Sequence, residues 1–475
     1  MHDAPQSAAA APGKPLAWRT FWLTSAAAFL VALDATAVVA AYAALRAEFG
    51  SVSPAWLSWT LNAYTIVYAA LLVPAGRLAD LHGRKRLFLW GLALFTLASV
   101  LCALAPGVGA LVAARVLQAV GAALLTPASL GLVLSAFPPH KRAAAVGLFS
   151  AVGALAAAFG PAFGSWIIEQ ASWRWIFLVN APVGAVAYLS SRRRLLESTS
   201  PETGARLDLP GIVLLALGAA GVAWGIVLSG DGGWASGTTW AALAAGLALL
   251  LAFGGWARGR PAAALDLSLF QDRSYLFVNL ASLAFGVAFT MMFLASFLFL
   301  MGVWGYSQSL AGVAVTPGPL MAIPAAVVAA RLSGRIGHRP LLLAGAALYA
   351  LAQAWLAWRA APAPDYLGVW LPAQLIGGIA VGLILPGLSG AAVARLPATR
   401  FAVGGAVNNA LRQLGGAVGA ALTIALVGRS GAELSQFQTL FALLAGLGLL
   451  TALLSLPVDT RPIPPVAVRP RPAAT

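Results

Sequence analysis

TFWLTSAAAFLVALDATAVVAAYAAL (residues 20–45) is apolar throughout except for short hydroxyl side chains and one carboxylate, Asp34. About 20 such residues cross a hydrocarbon core about 30 Å thick, so the stretch reads as a membrane-spanning helix. It is too long for a signal peptide and lacks a clear cleavage site. A charge at bilayer depth costs about 2.5–3.5 kcal/mol on insertion scales, and intramembrane ionisable groups usually carry protons, ions or substrate. Asp34 is therefore the first candidate functional residue.

The remainder of the chain repeats the signal. Of 475 residues, 60% are hydrophobic and only 9% charged, against about 25% charged in a soluble protein. The apolar runs are long and continuous, which excludes the short alternating segments of a β-barrel. The net charge of +15 would suit nucleic acid, but the basic residues fall in short loops between apolar runs, so no nucleic-acid partner is expected. One cysteine, Cys102, excludes an intrachain disulfide, and the four scattered histidines give no metal-site pattern. No nucleophile–base constellation and no phosphate-binding glycine loop occurs, so neither an enzyme nor an ATP-driven pump is read here, and no cofactor is expected.

Spans are expected near 20–45, 56–78, 87–105, 108–136, 143–168, 173–191, 209–229, 238–257, 274–302, 309–331, 340–359, 366–394, 402–428 and 437–457, fourteen in all. With the N-terminus inside, twenty-three of the 29 Lys and Arg residues fall on inner segments and four on outer ones, while Arg115 and Arg412 lie within spans. That bias supports an even number of spans with both termini cytoplasmic. GRLADLHGRKRLFLWG (76–91) also resembles ARLSGRIGHRPLLLAG (330–345), aligning Arg77 with Arg331, Gly83 with Gly337 and Gly91 with Gly345. A parallel repeat of this kind describes two six-helix halves around a midplane cavity. The expected organisation is an all-α polytopic membrane protein: a tail at 1–19, a six-helix bundle at 20–192, a loop at 193–208, two inserted helices at 209–257, a loop at 258–273, a second six-helix bundle at 274–457 and a tail at 458–475.

Arg115 is the expected partner of Asp34. Asp34 lies about 21 Å into a helix that starts inside near Thr20, and Arg115 about 10 Å into one that starts outside near Val108. In a core about 30 Å thick both sit about 20 Å from the inner surface. Burial disfavours a charged carboxylate and a facing guanidinium favours it, so the pair can take up and release a proton. A cationic compound would compete with that proton for the carboxylate. The structural alternative is an ion pair that only holds two helices together. Gln118, three residues after Arg115, shares its helix face and either orients the guanidinium, touches substrate or bonds between helices.

Six segments resemble the major facilitator superfamily, in particular its fourteen-spanner drug/proton antiporter branch. LDATAVVAAYA (33–43) resembles L-D-x-T-x-V-N-V-A-x-P, with Val39 and Ala43 at the Asn and Pro positions. GRLADLHGRK (76–85) resembles G-x-L-A-D-R-x-G-R-K, with Leu81 for the basic residue. RVLQAVGAA (115–123) resembles R-x-x-Q-G-x-G-A-A, and GPAFGS (160–165) resembles the antiporter G-P-x-x-G-G. WRWIFLVNAPVG (173–184) and NNALRQLGGAVG (408–419) resemble the branch's segments before its sixth helix and late in the second half.

The resemblance implies a proton-driven exporter of lipophilic compounds, cations among them, working by alternating access in a cell membrane. Its partners are then a small-molecule substrate, protons and the lipid bilayer, and a monomer is compatible with that scheme. It implies that Asn408 and Arg412 line the second half's wall, with snorkelling or structural roles as alternatives. Gly160, Pro161 and Gly164 are expected to form a close-packed helix bend sealing one end of the cavity. Gly76, Asp80, Gly83, Arg84 and Lys85 are expected to form a latch on an inner loop, biasing inward against outward states, on top of their topogenic charge. A dedicated exporter of one metabolite or antibiotic would use the same machinery. A non-transporting membrane sensor is the rival of a different class; it would call for an effector domain larger than the short tails and the 193–208 loop.

Overall fold

The computed structural model describes residues 14–198, 208–232, 235–260, 263, 265, 267–396, 401–427 and 433–460; among these every regular element is helical and there is no strand. The first part of the chain forms α1 (Lys14–Glu48), α2 (Pro54–His82), α3 (Arg84–Ala103), α4 (Val108–Ala136), α5 (Pro139–Gln170), α6 (Arg174–Leu178) and α7 (Asn180–Arg194). Two helices follow, α8 (Leu209–Gly232) and α9 (Gly237–Ala257). The last part forms α10 (Arg273–Gly302), α11 (Gln308–Val315), α12 (Pro317–Ile336), α13 (Arg339–Arg359), α14 (Leu371–Ala394), α15 (Phe401–Val427) and α16 (Leu434–Ser455). Among the described residues eleven helical segments are long and apolar enough to cross a membrane; α5, α6–α7 and α15 are not among them. Their outer surface is apolar, with Trp90, Leu251 and Trp358 all more than half exposed, as lipid rather than water requires.

Two expected spans are broken rather than continuous. The span at 173–191 is split between α6 and α7, and the one at 309–331 between α11 and α12. Proline explains both breaks. Pro182 has no N–H to offer the carbonyl of Leu178, the last residue of α6, and Pro317 and Pro319 likewise cannot bond Val313 and Val315 at the end of α11. α1 also begins at Lys14, six residues before the expected start of its span.

Glycine sets how closely the helices cross. A Cβ on Gly91 would lie 2.7 Å from the carbonyl oxygen of Gly121, so α3 and α4 touch backbone to backbone. Gly345, its counterpart in the sequence repeat, does the same for α13 against α14 near Ile384 and Ala380. Gly83 and Gly337 both carry positive φ, 107° and 78°, a conformation that only glycine adopts without strain. Each ends the second helix of its set so that the third can start at once.

α8 and α9 pack on each other through Gly221 and Gly246. The pair leans on α2 through Trp59 and Trp224, whose rings are 5.0 Å apart, and on α15 through Ile226 and Ala421. It therefore covers the seam where α2 meets α15. On the opposite side, Gly312 of α11 packs against Ala162 and Ser165 of α5, and the Ser309 N–H donates to Glu169 at 2.8 Å. The Gln308 side chain donates to the carbonyl of Ala40.

Candidate functional site

The N-terminal helices converge on Asp34, which is 1% exposed. Arg115 Nη1 donates to its Oδ2 at 2.6 Å, and Gln118 Nε2 and Asn180 Nδ2 donate to its Oδ1 at 2.9 and 3.0 Å. Arg115 also donates from Nη1 to Gln118 Oε1 at 2.6 Å and from Nε to the Thr60 carbonyl at 3.1 Å. Its guanidinium lies 4.0 Å from the centroid of the Tyr64 ring, a cation–π contact. Ser99 Oγ accepts from both Gln118 and Asn180 and donates back to the Phe95 carbonyl. Four helices thus surround the carboxylate on α1: Thr60 and Tyr64 from α2, Ser99 from α3, Arg115 and Gln118 from α4, Asn180 from α7.

A buried ion pair persists only when its remaining polar atoms are also satisfied, and here both carboxylate oxygens have donors, one at Oδ2 and two at Oδ1. A proton arriving at Oδ2 would replace the Arg115 bond and free the guanidinium to turn. Asn180 escaped the sequence reading because a neutral amide at a helix start is unremarkable. Its place within the WRWIFLVNAPVG segment was the signal available.

Gly160 and Gly164 sit directly against this centre. A Cβ on Gly160 would collide with Thr36 Oγ1, and one on Gly164 would come within 3.1 Å of Ala37. α5 therefore crosses α1 one turn from Asp34. α5 is a single helix from Pro139 to Gln170; the Pro161 side chain lies outside the described residues.

At the α2–α3 loop, Arg84 Nε and Nη2 both donate to Asp80 Oδ1, at 2.9 and 2.8 Å. Arg84 also reaches the Gly131 carbonyl on α4 at 3.4 Å, and Gly76 packs near Pro127 on the same helix. Lys85 takes part through its backbone: its N–H and that of Arg86 donate to the two oxygens of Glu197, at 2.8 and 3.2 Å. Glu197 thus caps the start of α3, where a negative charge meets the helix dipole. A Cβ on Gly83 would lie 2.7 Å from the Glu197 carboxyl carbon. Glu197 was not foreseen, because acids in loops are common.

The equivalent loop of the second half is held differently. The His338 N–H and Nδ1 both meet Thr460 Oγ1 at 2.9 Å. Burial pushes its imidazole down to about 4. At the opposite end of the N-terminal helices, Glu48 accepts from Arg174 and from Trp173 Nε1, and these bonds hold its carboxyl below the usual range.

In the second half Asn408 is 2% exposed and donates to Asn279 Oδ1 at 3.2 Å and Ser282 Oγ at 2.6 Å. It ties α15 to α10 instead of facing an open space. Arg412 Nη2 donates to Asn409 Oδ1 at 2.6 Å, and Arg412 carries no ion pair among the described residues. A small apolar cavity of about 50 Å³ lies between α10, α12 and α14, lined by Phe289, Met292, Phe293, Val381, Ser296 and Gln374 among others. No group of three or more His, Cys, Asp or Glu that would hold a metal occurs among the described residues.

The family model of the Major Facilitator Superfamily matches residues 24–315 and 280–474. The cephamycin export protein of Amycolatopsis lactamdurans is 36% identical over 465 residues, 95% of this chain and 95% of that protein. The puromycin resistance protein of Streptomyces alboniger is 35% identical over 428 residues, covering 88% of this chain and 83% of that one. The methylenomycin A resistance protein of Streptomyces coelicolor is 32% identical over 402 residues, 82% of each.

Proposed function

Because this chain belongs to the Major Facilitator Superfamily, we propose that it exports lipophilic compounds from the cell in exchange for protons, by alternating access. The observation that carries the reading is Asp34, sealed among four helices and held by Arg115, Gln118 and Asn180. A carboxylate at this depth is retained for what it does rather than for stability, since buried ion pairs are often no better than apolar packing. Protonation at Oδ2 loosens α1 from α4, and deprotonation on the other side restores the bond. Asp34 has no side open to a cationic compound in this arrangement, so the proton is its ligand.

The proposal extends to topology. α5, α6–α7 and α15 count as spans, making fourteen, with six-helix bundles at 20–192 and 274–457, the insertion at 209–257 and both termini cytoplasmic. The Asp80–Arg84 pair, with Gly76, Gly83 and Lys85, latches the loop side of the first bundle, and the Gly160–Gly164 face bears on α1. Gln118 positions Arg115, while Asn408 fixes α15 against α10 and so the wall that presents Arg412.

Relatives named for cephamycin export, and for puromycin and methylenomycin A resistance, support a second reading, a dedicated exporter of one antibiotic. Everted membrane vesicles offered a panel of dyes and antibiotics from the bath, with and without an imposed pH gradient, test both. Gradient-driven flux of many compounds supports the broad exporter, and flux of one alone the dedicated one. No gradient-driven flux of any compound removes the proposal.

A further inference from the structure

Arg412 is a guanidinium without a counter-ion. It lies about 16 Å along α15 from Phe401, near mid-membrane if the helix starts at the surface. Among the described residues no carboxylate pairs with it, and its Nε has no hydrogen-bond partner. Its one acceptor is Asn409 Oδ1, at 2.6 Å. Arg115, by contrast, is matched by Asp34. Among the described residues Arg412 is therefore a mid-helix cation with no counter-charge.

Arg412 is half-buried, and its Nε is sealed from solvent. Tyr68 from α2 and Asn409 border it, and its backbone lies against Gly286 of α10. One turn further along α10 begin Phe289, Met292 and Phe293, which line the apolar cavity. An unpaired guanidinium in low dielectric is costly, and the arrangement is stabilised when an anion arrives. Guanidinium presents five donors in a planar fork that fits a carboxylate.

We propose that Arg412 receives an anionic group of the transported compound, so that the substrates are lipophilic carboxylates or zwitterions whose apolar bodies rest against α10. This rests on the exporter reading above. It assigns Asp34 to the proton and Arg412 to the cargo.

The test uses the full-length protein in detergent and tetramethylrhodamine, which bears a free carboxylate, against its methyl ester, together with three further lipophilic acids and their esters. Wild type should bind the acids at least about tenfold more tightly than the esters. Arg412→Gln should abolish that preference while binding the esters within about twofold of wild type, and Arg412→Lys should retain part of it. Equal or tighter binding of the esters by wild type, or binding of no acid in the panel, overturns the proposal. So does an equal loss for acids and esters in Arg412→Gln. If Arg412→Gln does not fold, the wild-type preference and its weakening in Asn409→Ala decide. Gradient-driven flux in vesicles is measured separately: acid preference without such flux removes the exporter reading and leaves the anion site standing.

Discussion

Asp34→Asn separates a proton carrier from a structural ion pair. Asp34 accepts three bonds, one at Oδ2 from Arg115 and two at Oδ1 from Gln118 and Asn180. Asparagine offers one carbonyl oxygen, so its amide N–H₂ must face either the guanidinium or the two amides, donor against donor. Arg115 then stays buried and without its counter-charge. Breaking a buried pair from one side costs about 3–5 kcal/mol, and the variant should unfold at a visibly lower temperature in a thermal-shift assay. Transport gives the decisive figure. A gradient of two pH units is worth about 2.7 kcal/mol per proton, about a hundredfold accumulation for one-for-one exchange. Asp34→Asn should show none of it in everted vesicles. The double variant Asp34→Asn with Arg115→Met removes both charges and should recover most of the stability, yet no gradient-driven accumulation. If either variant accumulates substrate to half the wild-type level, Asp34 does not carry the proton.

Asn180→Leu removes the donors to Asp34 Oδ1 and Ser99; it should lower stability by about 1–3 kcal/mol and slow gradient-driven efflux, read by melting and vesicle flux together. Gly160→Ala puts a methyl into Thr36, an overpacking expected to cost about 1–3 kcal/mol, and Thr36→Ala in the same chain should restore part of the melting temperature. His338 is held at about 4 in the folded protein against an ordinary 6.5, so the unfolded chain takes the proton first on acidification. Stability should therefore fall by about 3 kcal/mol as pH drops from 6.5 toward 4, and His338→Gln should flatten that part of the denaturation profile.

The pairing of Asp34 with Arg115 was legible because charges inside apolar runs are rare and chain direction fixes their depth. The 2.6 Å contact agrees with that depth argument. The partners Asn180, Ser99 and Tyr64 were not legible, since neutral polar and aromatic residues are frequent and only the rotation of each helix brings them inward. The Thr60 carbonyl leaves no trace in any side-chain pattern. The helix breaks before Asn180 and Pro317 were within reach of proline logic, but hydropathy averages run straight across them. For Asn408 the sequence leaves a cavity wall and a structural role open; the bonds to Asn279 and Ser282 depend on helix rotation, which sequence does not display. The repeat showed best where backbone conformation left only one residue type, at Gly83 and Gly337.

The smooth crossing of α5 over α1 has a mechanical outcome. Thr36 and Ala37 are nested against Gly160 and Gly164, only a turn from Asp34, the acid proposed to exchange the proton. Whatever rotation α1 makes when its grip on α4 relaxes is handed to α5 with no intervening linker. Since α5 also abuts Gly312 of α11, the proposed proton exchange would gear one neutralised charge into a sliding movement where α5 meets α11.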